Sequence, residues 1–292
     1  MTAIDSGKHP MGASDGKPNR MPLDAPIGIF DSGIGGLSVL RHVHALLPQE
    51  NLLYFADAGF APYGGKPEAE ILERSAAIAG FLRQSGAKAV VVACNTATAA
   101  AIAHLRALHP DWAVVGVEPG LKPAAAASRS TVVGVLATER TVASEKFRLL
   151  RQRLEAESAV RFVCSPCPGL ADAIEAGQLR SPDTAALLTR FLMPLLEAGA
   201  DTIVLGCTHY PFVAELIHAI ANRAGRPVQL IDTGEAVARQ LARLLSAHDC
   251  LHAAQGPGSI NAFTTGSAGS LDAAFHRLLG MRVQSMALKT AS

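Results

Sequence analysis

The sequence predicts an α/β fold with two similar lobes, each built around a mostly parallel sheet. Three observations lead to this prediction: short apolar runs alternate with amphipathic segments, motifs recur in two halves of the chain, and 292 residues are enough for two domains of ordinary size. Near-continuous apolar strands separated by helices are typical of a parallel sheet that helices cover on both faces. We therefore expect two α/β lobes related by pseudo-twofold symmetry, with the active site in the cleft between them.

Eight short runs of apolar and β-branched residues predict the strands. In chain order the runs are IGIF at 27, LLYFA at 52, AVVVAC at 89, AVVGV at 113, VVGVLA at 132, VRFVC at 160, TIVLGC at 202 and VQLID at 228. Between these runs apolar residues recur at spacings of three and four, as for Leu40, Val43 and Leu47, which indicates amphipathic helices.

Two pairs of similar segments indicate an internal duplication. GIFDSG at 28 resembles GVLATE at 134, and VVVACNT resembles TIVLGCT. We expect one lobe to contain residues 26–117 and 229–292 and the other to contain residues 118–228, because a strand and a helix follow the second half and can complete the first lobe. Residues 1–25 are rich in Gly, Pro and polar residues and show no apolar periodicity, which predicts a disordered leader.

The composition excludes several classes of protein. The chain has 26 basic and 25 acidic residues, so its formal net charge of +1 provides no basic surface for nucleic acid or an anionic membrane. No apolar run approaches the ~20 residues of a membrane helix, and the N-terminus lacks the apolar core of a secretion signal. We therefore expect a soluble, cytoplasmic protein without nucleic-acid or membrane partners.

The motifs give no sign of a metal or a cofactor. The five cysteines are an odd number, which favours free thiols over a disulfide framework. Cys164 and Cys167 form a CxxC, but no second CxxC or histidine pair completes a zinc site, so both are expected to be structural. The glycines of DSGIGG are only a weak phosphate signature, and no GxxxxGK occurs. We expect neither a metal nor a cofactor.

Cys94 and Cys207 are the strongest candidates for chemistry. Each follows a predicted strand and precedes a predicted helix, the place where parallel sheets collect ligands and where helix N–H groups favour a thiolate. A single cysteine there is usually a buried apolar residue, but two in duplicated positions indicate a shared function. Two thiols on opposite sides of one carbon can remove a proton from one face and return it to the other. The pair therefore predicts racemisation or epimerisation.

Polar residues beside the two cysteines complete the candidate site. Asp31 and His209 are placed to tune the thiols, and Ser32 can help to hold a carboxylate. The alternative for each of these residues is an ordinary cap or loop hydrogen bond. The remaining candidates are neutral donors or lie in a Pro/Gly loop that can cover the site; they are Asn95, Thr96, Thr208 and Tyr63.

Five motifs carry a family resemblance. IGIFDSGIGGLSVL, APYGGK, VVACNTAT, VGVLAT and IVLGCTHYPF occur in this order between residues 27 and 247, and they resemble the motifs of the glutamate racemases of the aspartate/glutamate racemase superfamily. The resemblance implies a cytoplasmic, pyridoxal-independent isomerase that interconverts L- and D-glutamate for peptidoglycan and cell wall biogenesis, and thus for cell shape. Members of the family often form dimers, so a homodimer is a further expectation.

The same resemblance implies a role for each matched residue. Cys94 and Cys207 correspond to the two acid/base residues, and Asp31 and His209 correspond to their auxiliary partners. Glu175 is similar in placement to a glutamate that assists on the second side. The implied substrate contacts are Asp31, Ser32, Tyr63, Gly64, Asn95, Thr96, Thr208 and His209.

Two alternative functions stay open at this point. One is an aspartate or hydantoin racemase on the same scaffold, because the sequence does not fix the length of the substrate side chain. The other is a non-catalytic module that binds a small molecule and in which the cysteines are structural. The spacing along the chain also leaves open whether the two sulfurs face each other across one cleft.

Overall fold

A computed structural model describes residues 22–253 and 256–288 of the chain. Of the predicted disordered leader, residues 1–21 lie outside the described residues and residues 22–25 lie within them. Its last residues contact the folded chain, because Lys88 Nζ donates a hydrogen bond to the carbonyl of Leu23 at 2.6 Å and Ala25 is buried.

The described residues form ten strands and eleven α-helices. The strands are β1 Ile27–Asp31, β2 Leu52–Ala56, β3 Ala89–Val92, β4 Ala113–Gly116, β5 Val132–Ala137, β6 Arg161–Pro166, β7 Thr202–Gly206, β8 Gln229–Ile231, β9 Ile260–Thr264 and β10 Ser285–Ala287. The helices are α1 Leu37–Leu46, α2 Glu68–Gln84, α3 Asn95–Leu108, α4 Leu121–Ala127, α5 Glu139–Ala143, α6 Glu145–Glu157, α7 Leu170–Glu175, α8 Pro182–Glu197, α9 Ala214–Arg223, α10 Gly234–Ala247 and α11 Ala268–Leu279.

The strands form two parallel sheets with a repeated order. The first sheet is β10-β9-β2-β1-β3-β4 and the second is β6-β5-β7-β8, and all neighbouring strands run parallel. With β1 matched to β5, the order β2-β1-β3-β4 is the same as β6-β5-β7-β8. All eight predicted strands are present, which confirms the predicted fold class. The prediction missed β9 and β10.

Helices cover both faces of each sheet. In β1, Ile27 and Ile29 pack against α1 and α10, whereas Phe30 packs on the opposite face against α2 and α3. Successive side chains of a strand point to opposite faces, so a strand in such a sheet needs apolar residues on both. This requirement explains the continuous apolar runs in the sequence.

The chain returns to the first lobe after β8. Helix α10 contacts α1 and β4, while β9 and β10 extend the first sheet. Strand β8, however, pairs with β7, so residues 229–231 lie in the second sheet and not in the first lobe as expected. We propose the division of the chain into these two lobes with the second boundary placed after Ile231.

None of the helices in the described parts of the chain combines the length and the apolar character needed to cross a membrane.

The packing predicts the effect of removing a core side chain from the second lobe. Leu195 of α8 is 1% exposed and packs over Gly134 of β5. We expect Leu195→Ala to lower the free energy of unfolding by about 2 to 5 kcal/mol, because it removes buried methyl groups and leaves a cavity. Urea unfolding followed by circular dichroism measures the change. The control is Leu149→Ala, at a leucine that is 53% exposed, and equal losses in both variants would contradict the packing.

Candidate active site

A cavity of about 250 Å³ lies between the lobes, where strands of both sheets end. It contains no lysine or arginine among its lining residues. Its walls combine two cysteines, several neutral hydrogen-bonding side chains and a glycine-rich loop. The lining residues are Ser32, Ala61, Pro62, Tyr63, Gly64, Gly65, Cys94, Asn95, Thr96, Thr138, Glu139, Cys167, Pro168, Gly169, Ala171, Asp172, Glu175, Cys207, Thr208 and His209.

Cys94 occupies the N-terminal cap of α3. Its backbone is extended, and its sulfur accepts a hydrogen bond from the N–H of Ala97 at 3.5 Å and lies 3.8 Å from Ser32 Oγ. Burial, together with the negative charge of Asp31, raises the pKa of the Cys94 thiol to about 12, and the Ala97 N–H opposes this only in part. The predicted helix N–H group is present and lowers the pKa of the thiol as expected, but burial has the larger effect.

Asp31 ends β1 and is completely buried beneath the cavity. Its carboxylate accepts hydrogen bonds from the Gly33 N–H at 2.8 Å and from Thr208 Oγ1 of the other lobe at 2.9 Å. Burial raises the pKa of Asp31 to about 6, although the charge of His209 and these hydrogen bonds lower it. Asp31 does not line the cavity, so this geometry supports a role through its neighbours and not the predicted direct contact with substrate.

Cys207, His209 and Glu175 form a chain of polar contacts in the second lobe. His209 Nδ1 lies 3.7 Å from Cys207 Sγ, and His209 Nε2 lies 2.7 Å from Glu175 Oε2. Burial alone would lower the pKa of His209, but the contacts with Cys207 and Glu175 and the charge of Asp31 raise it well above the ordinary value. The raised pKa favours the protonated form of His209 next to the Cys207 sulfur.

Glu175 also joins the two lobes. As the last residue of α7, it accepts a hydrogen bond from the N–H of Ile34 at 2.9 Å, with its second oxygen at 3.3 Å. Burial would raise the pKa of Glu175, but the hydrogen bonds from His209 and Ile34 and the charges of His209 and Arg277 together outweigh burial and lower the pKa. Glu175 is thus an ionised acceptor that lines the cavity, as its predicted place on the second side requires.

The structure brings the two candidate thiols together. Cys94 comes from the first lobe and Cys207 from the second, and both line the same cavity. The charge of Cys207 is also one of the influences that raise the pKa of Cys94. The repeated strand order explains this, because Cys94 follows β3 and Cys207 follows the matching strand β7.

The other predicted contacts all line the cavity, with different hydrogen-bonding capacity. Tyr63 donates its hydroxyl to Asp57 at 2.7 Å, so that hydroxyl is already engaged. Thr96 Oγ1 lies 3.2 Å from Thr138 Oγ1 across the cleft. Asn95 Oδ1 is buried and has no hydrogen-bond partner among the described residues. The remaining contacts that line the cavity are Ser32, Gly64 and Thr208.

The sequence prediction missed several residues of the site. Thr138 occupies the position in GVLATE that Ser32 occupies in GIFDSG, so the duplication could have identified it. Cys167, expected to be structural, lines the cavity, and burial raises its pKa to about 12. Asp57 binds Tyr63 from beneath the loop, and no motif marked it. Within the described residues, no group of three or more His, Cys, Asp and Glu side chains is arranged to hold a metal ion.

Comparison with known proteins identifies the family. A sequence model of the Asp/Glu/Hydantoin racemase family matches residues 27–241. The glutamate racemase of Pseudomonas entomophila (strain L48) is 55% identical over 241 residues, which cover 82% of this chain and 88% of that protein.

Solved structures agree with the sequence comparison. Glutamate racemase from Francisella tularensis subsp. tularensis SCHU S4, in complex with D-glutamate, has a TM-score of 0.80 at 27% identity and covers 92% of this chain and 98% of that chain. Escherichia coli glutamate racemase, in complex with L-glutamate and the activator UDP-MurNAc-ala, has a TM-score of 0.77 at 32% identity and covers 92% and 100%.

These matches confirm the resemblance seen in the motifs and exclude a non-catalytic binding module. The family model spans most of the chain, and a relative with 55% identity covers 82% of it. The chain therefore belongs to the Asp/Glu/Hydantoin racemase family, whose members are isomerases.

Proposed function

We propose that the protein racemises L-glutamate to D-glutamate with two thiols and without a cofactor. The observation that carries the proposal is the pair Cys94 and Cys207, which enters one cavity from two lobes of the same plan. The relatives named above supply the substrate, because they are glutamate racemases and two of them bind a glutamate enantiomer in their solved structures.

Neutral donors bind the substrate carboxylates in this proposal. The cavity walls offer hydroxyl groups of Thr96 and Thr208 and the side-chain amide of Asn95, whose oxygen has no partner in the described residues and can accept from the substrate ammonium group. His209 adds a positive charge, since its pKa is raised. Ser32, Tyr63 and Gly64 line the same space.

The two thiols exchange protons with Cα of the substrate. One cysteine, as thiolate, removes the α-proton, and the thiol of the other delivers a proton to the opposite face. Protonated His209 stabilises the thiolate of Cys207, and Glu175 holds the imidazole in place. On the other side Asp31 and Ser32 stand next to Cys94, and the high pKa of Cys94 makes its thiolate a strong base once formed.

The carbanion is stabilised by the surroundings of the substrate. A closed cavity excludes water. Backbone N–H donors at the start of α3 and in the turn after Cys207 then face the negative charge that develops on the substrate. Both effects require the lobes to meet around the substrate.

We further propose a cytoplasmic location, a homodimer, and D-glutamate supply for peptidoglycan as the role of the product. These proposals rest on the family and not on a contact in this chain.

The proposal predicts deuterium transfer from solvent to glutamate. In D₂O and without added cofactor, L-glutamate should lose optical rotation and gain deuterium at Cα, because the incoming proton comes from an exchangeable thiol. Cys94→Ala and Cys207→Ala should each slow racemisation by about 10²-fold to 10⁴-fold or more, as measured by polarimetry and NMR.

Cys250→Ala is the control, because Cys250 lies outside the cavity. Near-normal turnover in either Cys94→Ala or Cys207→Ala would contradict the two-base scheme. Faster conversion of L-aspartate or a hydantoin than of L-glutamate would instead favour the related racemases.

The raised pKa of Asp31 predicts a pH-dependent stability cost. Its pKa is about 6 in the folded protein against an ordinary 3.8, so protonated Asp31 stabilises the fold below about pH 4 and this contribution is lost as the pH rises through 6. We expect Asp31→Asn to gain up to about 3 kcal/mol relative to wild type between pH 4 and pH 7. Urea unfolding at both pH values measures the difference, and parallel curves for the two proteins would contradict it.

Glu175 predicts a change in the pH profile of activity. The hydrogen bond to the Glu175 carboxylate raises the pKa of His209. Glu175→Gln keeps an acceptor but replaces the carboxylate with a neutral amide, so the pKa of His209 should fall. We expect the alkaline limb of kcat/KM, where His209 loses its proton, to move to lower pH in both reaction directions. Glu215→Gln, at an exposed residue paired with Arg180, should keep the wild-type limb. An unchanged limb in Glu175→Gln would refute the role of this carboxylate.

A further inference from the structure

One wall of the cavity is a loop of the first lobe that runs from the end of β2 to the start of α2. Residues 61–65 of this loop line the cavity, and Pro62 and Gly65 are exposed at its rim. The loop thus forms part of the edge of the cavity that contains both thiols. The contacts that fix the loop therefore control how the cavity closes.

The near end of the loop is anchored within its own lobe. Asp57 is completely buried and binds Tyr63 Oη at 2.7 Å, Arg74 at 2.6 and 2.8 Å, and Thr265 Oγ1 at 2.7 Å. Tyr63 in turn packs edge-on against Phe60. These contacts hold the first half of the loop whether or not the second lobe is close.

The far end of the loop is held from the opposite lobe. The guanidinium of Arg140 in α5 donates a hydrogen bond to the carbonyl of Lys66 at 2.5 Å. Lys66 follows directly after the lining residues, and its N–H donates to the carbonyl of Tyr63 at 3.1 Å. The Arg140 contact thus acts on the same turn that presents Tyr63, Gly64 and Gly65 to the cavity.

Helix α5 is itself fixed in the cleft. Thr138 caps it by accepting from the Thr141 N–H at 3.2 Å, and Thr138 Oγ1 lies 3.2 Å from Thr96 of the first lobe. Thr138 and Glu139 both line the cavity. Arg140 is therefore carried by an element that touches the substrate space and reaches the rim of the other lobe.

We propose that Arg140 is a positioning residue that holds the loop of residues 61–66 against the second lobe and closes the mouth of the cavity. This inference rests on the proposed function, because closure serves to exclude water while the carbanion exists. A guanidinium suits the task, since it stays charged and donates strongly to a neutral carbonyl. Arg140 contacts neither thiol in this scheme and acts through the loop.

The inference is tested with Arg140→Ala and Arg140→Lys on the full chain. We expect Arg140→Ala to raise KM for both glutamate enantiomers about tenfold, the effect of losing one hydrogen bond from a charged donor. Amide hydrogen–deuterium exchange in the peptide around residues 61–66 should become faster by a similar factor, while exchange in β1 and β7 stays unchanged. Arg140→Lys should restore most of both quantities, because a lysine also donates to a carbonyl.

Two controls separate this role from others. Arg153→Ala removes an arginine of the same lobe whose side chain is 73% exposed, and Arg148→Ala removes a second exposed arginine of that lobe. Both should retain KM and loop exchange near wild type. Because enantiomers have equal free energies, kcat/KM must be equal in the two directions in every variant, which checks the kinetic data.

Wild-type loop exchange in Arg140→Ala would overturn the inference. So would a rise in KM that disappears at high salt with no change in exchange, because this pattern indicates attraction of the anionic substrate by charge. If the wild-type protein does not racemise glutamate, the proposed function fails, while the exchange data still decide whether Arg140 holds the loop.

Discussion

The close contact between the glycine turn after β1 and the second lobe is the constraint on which the site depends. A Cβ atom on Gly33 would lie 2.3 Å from a carboxylate oxygen of Glu175, and one on Gly35 would lie 2.4 Å from His209 Nδ1. Only glycine leaves room for these groups at such distances. The turn therefore sets how near the two lobes can come and, with them, the thiols that each lobe carries.

This contact brings ionisable groups together in a buried part of the molecule. Asp31 and His209 are buried and Glu175 is half-buried. Thr208 donates to Asp31, and its chain neighbour His209 contacts Glu175. The pKa of His209 is raised and that of Glu175 is lowered, which favours a charged pair, while burial raises the pKa of Asp31 to about 6. A dicarboxylate substrate then meets a cavity without lysine or arginine in its walls, so dipoles and one imidazole must replace the water around its charges. Fixed dipoles of this kind stabilise the negative charge that forms on the substrate during the reaction more than the charges that the substrate carries when it binds.

Features of the fold and the site that depend on residues close together in the chain could be predicted from the sequence, whereas contacts between distant residues could not. Strand-end positions and the duplication predicted matching places for Cys94 and Cys207, because a repeated motif implies a repeated place in a repeated sheet, and both residues line the cavity. The helix N–H next to Cys94 could be predicted from the sequence, whereas the depth of burial that raises the pKa of its thiol could not. The contact of Arg140 with Lys66 joins residues 74 positions apart in different lobes, and no local pattern encodes it. Strand β8 was assigned to the wrong lobe because a three-residue strand carries too little pattern to reveal its partner.

The duplication also explains why the two halves of the site differ. Two matching lobes supply two matching thiols, but a substrate with one Cα presents a different face to each thiol, and the neighbours of the two thiols differ. Cys94 is next to a serine and above a carboxyl group, whereas Cys207 is next to a protonated imidazole. Equal free energies of the enantiomers still require equal kcat/KM in both directions. The different surroundings of the two thiols can therefore change kcat and KM only together, so that kcat/KM stays the same. We expect the asymmetry of the site to appear as different KM values for the two enantiomers, each with a kcat that differs by the same factor.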